Sequence, residues 1–423
     1  MSKHEKKSFK PKYRFSEFVS DGEWESLSLD EISERITDKV GDSQLTTLSI
    51  SAGLGFVSQA EKFSRDISGN QYSNYIRLKK GEFSYNKGNS KKYPQGCIYE
   101  LKEYKEAAVP NAFISFRFNK GCVPNFYKGY FDNNFHGKQL QKFITSGARS
   151  DGLLNINANE FLSIILPTPK KEAEQQKIAD CLTSLDELIA AEDKKLGLLK
   201  AHKKGLMQKL FPAEGKTVPK VRFEGYTDTW EQKKLGEIYN IYSGQTPFRG
   251  DLDNFLNPTT AWIKTTDLNN ASIIKNEENI SDKALKKLKL LPVGTVLIAM
   301  YGGFNQIGRT GMLTYPATIN QAISALPPVE DVDPYFLITD LNHRVDEWRI
   351  VAASSRKDAN ITKKDVENFL FRYPKLSEQI AISTFFLNLD ELISEQVKKI
   401  ETLKLHKKGL MQGLFPSAQE VFA

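Results

Sequence analysis

His202-Lys203-Lys204-Gly205-Leu206-Met207-Gln208 recurs letter for letter as His406-Lys407-Lys408-Gly409-Leu410-Met411-Gln412, and both copies run into Leu-Phe-Pro, at Leu210-Phe211-Pro212 and Leu414-Phe415-Pro416. The offset is 204 residues. At the same offset Glu174-Gln175 matches Glu378-Gln379, and Leu185-Asp186-Glu187-Leu188-Ile189 matches Leu389-Asp390-Glu391-Leu392-Ile393. Upstream the echo loosens. Pro11-Lys12-Tyr13-Arg14-Phe15 answers Pro219-Lys220-Val221-Arg222-Phe223, Trp24-Glu25 answers Trp230-Glu231, and Asn155-Ile156 answers Asn360-Ile361. Between these marks the halves diverge, so the chain reads variable, constant, variable, constant. A period near two hundred residues is too long for a solenoid unit and fits a duplicated domain-plus-helix module.

Both constant segments carry a heptad seam, with apolar residues at spacings of four and three. In the first these are Ile178, Leu182, Leu185, Ile189, Leu196, Leu199, Leu206 and Leu210, with Glu192 and Lys203 at two polar steps. In the second they are Ile382, Phe386, Leu389, Ile393, Ile400, Leu403, Leu410 and Leu414, with Gln396 and Lys407 at the polar steps. No proline interrupts either run until Pro212 and Pro416, which end them. Some 40 helical residues make a rod of about 60 Å. Two stripes of equal length on one chain are best covered by each other, because the tether raises their effective concentration. If the pair is antiparallel, Glu192 and Gln396 fall near the crossing centre, where they either fix the register or stay in solvent. Gly205 and Gly409 mark either a helix stop or a kink.

The variable segments read as mixed. Thr295 to Met300, between glycines, reads as a buried strand, Ala112 to Phe118 as an alternating one, and Ser281 to Leu290 as helical. The expected organisation is residues 1–168 and 213–373 as two mixed α+β domains, 169–212 and 374–416 as two long helices pairing as an antiparallel coiled coil, and 417–423 as a tail.

Composition narrows the function. The chain has 423 residues, 40% hydrophobic and 26% charged, which suits a multidomain globular protein. No apolar run approaches the ~20 residues that span a bilayer, and the Lys-rich start lacks a secretory apolar core; a cytoplasmic home is expected. Cys97, Cys122 and Cys181 are odd in number and lack metal-ligand spacing. Net charge is +7, and it is unevenly placed. Residues 51–150 hold 16 Lys and Arg against 7 Asp and Glu, whereas residues 251–350 hold 9 against 12. An acidic partner therefore fits the first half best.

Taken together, the helix starts (Pro374-Lys375-Leu376-Ser377-Glu378-Gln379, and Pro167-Thr168-Pro169 before Glu174-Gln175), the Leu-Asp-x-x-Ile run and the Lys-Lys-Gly-Leu-Met-Gln-x-Leu-Phe-Pro ends resemble the specificity subunits of type I restriction-modification enzymes. Ser243-Gly244-Gln245-Thr246-Pro247 and Trp262 to Leu268 look like that family's Gly-x-Thr-Pro turn and first strand; the first variable domain lacks the turn between Gly41 and Ser51. The resemblance implies two target-recognition domains, each reading one half of a split site on double-stranded DNA, and a helix pair that sets the unread gap and docks methylation subunits, two of them, with restriction subunits beyond. It implies no cofactor in this chain: S-adenosylmethionine, ATP and Mg would sit in the partners. Half-sites on one side of B-DNA lie about 34 Å apart per turn, within reach of such a rod.

No catalytic signature competes. The phosphate loop, His-Glu-x-x-His and Asn-Pro-Pro-Tyr/Phe are missing, and Asn257-Pro258-Thr259-Thr260 reads as a turn. Glu103-Tyr104-Lys105 and Glu231-Gln232-Lys233 fit a nuclease tripeptide that is common by chance. His202 and His406 sit at the helix exits, where a cation near the C-terminal dipole explains a histidine better than ligation does. Candidate DNA contacts in the first domain are Arg77, Lys79, Lys80, Lys87, Lys91, Lys92 and Arg149, with Asn74, Asn86 and Asn89 able to pair with adenine edges. In the second they are Gln245, Thr246, Arg249, Lys264, Tyr301, Asn305, Gln306, Arg309, Arg356 and Lys357. The competing reading is a duplicated coiled-coil adaptor that never touches bases; divergent domains on constant helices argue against it.

Overall fold

A computed structural model describes residues 8–88, 93–144, 153–303, 305–353 and 360–416. The chain forms two units, one of Met1–Asp193 with Lys399–Ala423 and one of Lys194–Lys398. Each contains a head and parts of both long helices. Among the described residues no helix is long and apolar enough to cross a membrane.

The first head is built on a four-stranded antiparallel sheet of β1 (Ser33–Arg35), β2 (Phe83–Asn86), β3 (Cys97–Glu100) and β4 (Ile114–Phe118), in the spatial order β1-β4-β2-β3. The expected alternation along β4 is not seen: Phe113 to Phe116 are all buried, because both faces of this central strand are covered and Ser115 shares a hydroxyl hydrogen bond of 2.8 Å with Ser84 beside it. Helix α1 (Pro124–Asp132) follows β4 and packs Phe126, Tyr127, Tyr130 and Phe131 into the core.

Helix α2 (Glu172–Leu210) is the first long helix. It runs through Gly205, so that residue is not a stop, and beyond the helix's own nearby backbone no atom lies within 4 Å of where its Cβ would be.

The second head repeats the frame. Strands β5 (Tyr242–Ser243), β6 (Val296–Ala299), β7 (Thr310–Leu313) and β8 (Ile323–Leu326) take the order β5-β8-β6-β7, with Ala271–Ile273 added parallel to β7. All four residues of β6 are buried, as its unbroken apolar run requires. Helix α3 (Pro334–His343) follows β8 as α1 follows β4. The helical stretch expected over Ser281 to Leu290 is only Asp282–Leu285, capped by the Ser281 hydroxyl. Helix α4 (Leu376–Leu414) is the second long helix and passes through Gly409.

Within each unit the long helices run antiparallel. In the first, Asp186 pairs with Lys407; in the second, Asp390 pairs with Lys203. These are the same two repeat positions with roles exchanged. The first unit adds Glu192 with Lys399 at 2.6 Å and Asp193 with Lys404 at 3.4 Å; the equivalent second-unit positions hold Gln396 with Lys195 and Val397 with Lys200. Ile178, Leu182, Ile382, Phe386 and Ile400 are buried, and Leu185, Ile189, Leu196, Leu199, Leu389, Ile393 and Leu403 are half-buried. Gln396 is also buried and the Glu192 carboxylate is mostly covered, so the polar steps lie inside the seam.

Each unit is completed by the far end of a long helix. Met411, Leu414 and Phe415 belong to the first core, where the Phe415 ring lies 4.5 Å from Tyr130 and 5.4 Å from Phe126. Leu210 and Phe211 belong to the second, with Phe211 stacked 5.3 Å from Phe336. Fully burying one such side chain contributes roughly 1.5–3 kcal/mol, which explains the repeated Leu-Phe-Pro. The Glu-Gln pair does the matching polar work. Arg14 donates to both oxygens of Glu174 at 2.7 and 2.8 Å, and Arg222 does the same to Glu378. Gln175 accepts the backbone N–H of Val123 at 2.9 Å, just ahead of α1, and Gln379 accepts that of Asp333 at 2.9 Å, just ahead of α3.

Candidate nucleic-acid interface

In the second head, three segments meet at one end of the sheet. Strand β5 runs into Gly244-Gln245-Thr246-Pro247, where a Cβ on Gly244 would lie 2.2 Å from the Ile319 carbonyl oxygen; only glycine permits that approach. Gln245 donates its N–H to Ile319 at 3.1 Å, its carbonyl accepts the Trp262 indole at 3.3 Å, and the Thr246 hydroxyl donates to Gln321. Next to this turn, Met300 donates its N–H to Ala322 at 2.8 Å. The loop that follows β6 therefore starts beside the Gly-Gln-Thr-Pro turn, with residues 320–322 between them. Tyr301 and Asn305 are exposed on that loop, while Gln306 and Arg309 are half-buried. Gly308 sits under Trp348, 2.6 Å from where its Cβ would be. Arg356 and Lys357 lie outside the described residues; the chain beyond them is fixed by the Ile361 N–H on the Met300 carbonyl at 3.1 Å.

The first head closes in a comparable way, through a donor two residues before Ile156, the repeat counterpart of Ile361. Leu154 donates its N–H to the Lys87 carbonyl at 3.0 Å, so Lys87 in the β2–β3 loop occupies the place of Met300 in the β6–β7 loop. Lys91, Lys92 and Arg149, with Asn89, lie outside the described residues, on the segments that this bond and the 2.7 Å Gln95-to-Gln141 hydrogen bond join. Asn86 is held by its amide on the Ile50 carbonyl at 3.4 Å.

The basic group of the first head is split by the fold. Lys79 ends the strand Ile76–Lys79 and Lys80 follows it in the turn that precedes β2, whereas Lys87 comes after β2; four residues of strand separate the two sides by about 13 Å. Arg77 is bound through its guanidinium to Glu106. Asn74 lies in the 3-10 turn Gly69–Asn74, its carbonyl accepting from Lys39. Of that set, only Lys87 is seen at the loop end matching the second head's.

Arg249 and Lys264 are brought together, by two carboxylates the sequence reading passed over. Arg249 makes a two-pronged contact with Glu278, one prong at 2.9 Å, and its guanidinium lies 4.6 Å from the Phe255 ring and 5.1 Å from that of Trp262. Lys264 Nζ is 3.1 Å from Glu277 and 3.4 Å from Glu278. The hydrogen bond from Arg249 holds the Glu278 carboxyl below its ordinary range, and that from Lys264 does the same for Glu277. Gln321, Gln95 and Gln141 were likewise passed over; no local pattern marks a glutamine that matters through a partner dozens of residues away. Among the described residues, no group of three or more His, Cys, Asp or Glu is placed to hold a metal ion.

A duplicated head whose loops converge at one sheet end, carried on paired long helices, defines a two-headed recognition protein. The model of the type I restriction modification DNA specificity domain matches twice, over residues 21–201 and 227–405. The chain belongs to that family and is a DNA-recognition specificity subunit. It is 26% identical over 418 residues to the MjaX type I restriction enzyme specificity subunit of Methanocaldococcus jannaschii, covering 92% of each chain. With the EcoR124I/EcoR124II specificity subunit of Escherichia coli it shares 25% identity over 166 residues, 38% of this chain and 41% of that one. Two solved structures share the fold. One is a chain of a type I R-M system solved for its complex assembly and conformational transition (TM-score 0.59, 17% identity, 93% of this chain and 98% of that one). The other is the type I restriction-modification S subunit of M. genitalium (TM-score 0.58, 14% identity, 97% and 100%).

Proposed function

We propose that this chain is a non-catalytic subunit that reads a DNA site in two parts, one per head, and docks two methylation subunits and, through them, restriction subunits. The bases are read by the loops after β2 and β6 and by the Gly244–Pro247 turn, with Lys87, Lys91, Lys92 and Arg149 serving the first half-site and Gln245, Thr246, Arg249, Lys264, Tyr301, Asn305, Arg309, Arg356 and Lys357 the second. S-adenosylmethionine, ATP and Mg bind the partners, and the assembly works in the cytoplasm. The observation that carries the reading is the pair of comparable closing bonds, Leu154 to Lys87 and Ile361 to Met300, each made to the residue just after the matching strand of its sheet, at loops of different chemistry. Base readout needs variable side chains on a fixed frame; an adaptor has no use for two unlike ends.

Single-molecule sequencing of genomic DNA from cells carrying this chain with its methylation partner tests it. A methylated motif in two parts with an unread gap is expected. No new methylation, with the partner shown to bind, would favour the adaptor, and methylation by this chain alone would overturn the non-catalytic reading.

A further inference from the structure

Glu277 and Glu278 occupy two of the few cations that the second head offers to DNA. Residues 251–350 carry more acid than base, and at the reading end of this head Arg249 and Lys264 both face these carboxylates. The arrangement is built rather than incidental. Trp262 donates its N–H to the Glu278 carbonyl at 3.1 Å, and Asn279 directly after it pairs with Ala261. Asp267 accepts the Glu277 N–H at 2.9 Å and the Lys264 N–H at 2.8 Å, so the partners are fixed by one loop. Arg249 is held from a second side by the Phe255 and Trp262 rings, in the same turn region whose Gln245 carbonyl takes the Trp262 indole.

We infer that Glu277 and Glu278 are specificity-determining residues: an intramolecular latch that keeps Arg249 and Lys264 from phosphates until the correct half-site displaces it. The inference rests on the DNA-reading function proposed above. Its physical content is an exchange. When an unpaired cation meets a phosphate, a counterion leaves the DNA and affinity falls steeply with salt. A latched cation makes no phosphate contact until its ion pair opens, and opening leaves a carboxylate beside the phosphates, so on random DNA it adds little to affinity or to the salt slope. Random DNA, which offers only phosphates, then gains nothing from Arg249 and Lys264. A cognate half-site adds base contacts that favour the open latch.

The test is Glu278→Gln in the full chain with its methylation partner, titrated with a site-bearing and a random duplex from 50 to 200 mM salt. The amide keeps the volume and loses the charge. Expected are a several-fold gain on random DNA at low salt, a smaller gain on the cognate duplex, and a salt slope steeper by about one for each cation freed; Arg249→Gln added to Glu278→Gln should return most of the slope. A parallel loss of affinity for both duplexes with an unchanged slope would make Glu278 a merely structural brace and overturn the latch. So would a slope gain that survives Arg249→Gln together with Lys264→Gln. Wild-type complex that fails to distinguish the duplexes would instead sink the DNA-reading function itself, and the two failures are thereby told apart.

Discussion

Arg14 on Glu174 and Arg222 on Glu378 repeat one bidentate contact in both units, whereas Lys87 and Met300, which each accept a comparable backbone hydrogen bond just after the matching strand, have nothing chemical in common. The contrast separates two kinds of position. At the base of each head the side chains themselves do the holding, so arginine, glutamate and glutamine are fixed by buried partners and recur. At the loop end the main chain does it, through an N–H and a carbonyl that any residue supplies, and the side chain is left to vary. A head can thus change what it reads without loosening how it is held. The base is not perfectly copied: Glu174 also accepts the Trp24 indole at 3.1 Å, while the Trp230 indole, its repeat counterpart, has no hydrogen-bond partner among the described residues.

The hardest way to break the comparison is at that base. Glu174→Leu leaves a guanidinium only 6% exposed without its carboxylate, and Glu378→Leu does the same to Arg222. Breaking a buried pair on one side costs about 3–5 kcal/mol, so each variant should unfold its own unit at much lower denaturant, with Glu174→Leu the worse of the two for the extra lost indole bond. Equal and near-neutral effects in chemical denaturation would show that the clamp is decorative.

Acid separates the units next. Burial pushes His136, in the first core, down to about 4 and pushes Asp340, in the second, up to about 6 despite Arg344 beside it. A histidine whose folded value lies below its ordinary 6.5 is stabilising at neutral pH and loses that stability as pH falls from 6.5 to 4, here roughly 3 kcal/mol. A carboxyl whose folded value lies above its ordinary 3.8 does the opposite, since the folded state binds the proton first and gains stability as pH falls through 6. Hydrogen exchange at pH 7 and pH 5, corrected for intrinsic rates, should show the first unit opening more readily on acidification and the second not; His136→Leu should flatten the first unit's response. Equal responses would mean that the buried His136 and Asp340 do not set the pH dependence.

The gentlest test is in the helices. Lys407→Met and Lys203→Met each remove one of the exchanged ion pairs, whose members are partly exposed, and should cost under about 1 kcal/mol each. A thermal melt showing either change to be large would mean that these pairs, rather than the apolar seam, hold the helices in register.

Much of this was legible. The seam declared itself because a heptad period is a local pattern, and the duplication because sequence compares with itself. The Glu-Gln repeat was visible as a mark and opaque as a device, since Arg14 and Val123 reach it from 160 and 52 residues away. Basic residues near the β2 strand looked like one patch because a sequence does not show that a strand puts Lys80 and Lys87 at opposite ends. Arg249 and Lys264 were picked out as cations, but nothing in the sequence said that Glu277 and Glu278 already hold them.

Phe415 fills the core of the unit whose first strands lie near the start of the chain. As the protein leaves the ribosome, the head made first is therefore left without its last core residues until the whole of the contiguous second unit, Lys194–Lys398, has been made. The order of manufacture and the order of completion are reversed, and a nascent chain stalled before Met411 would present a finished second head beside an open first one.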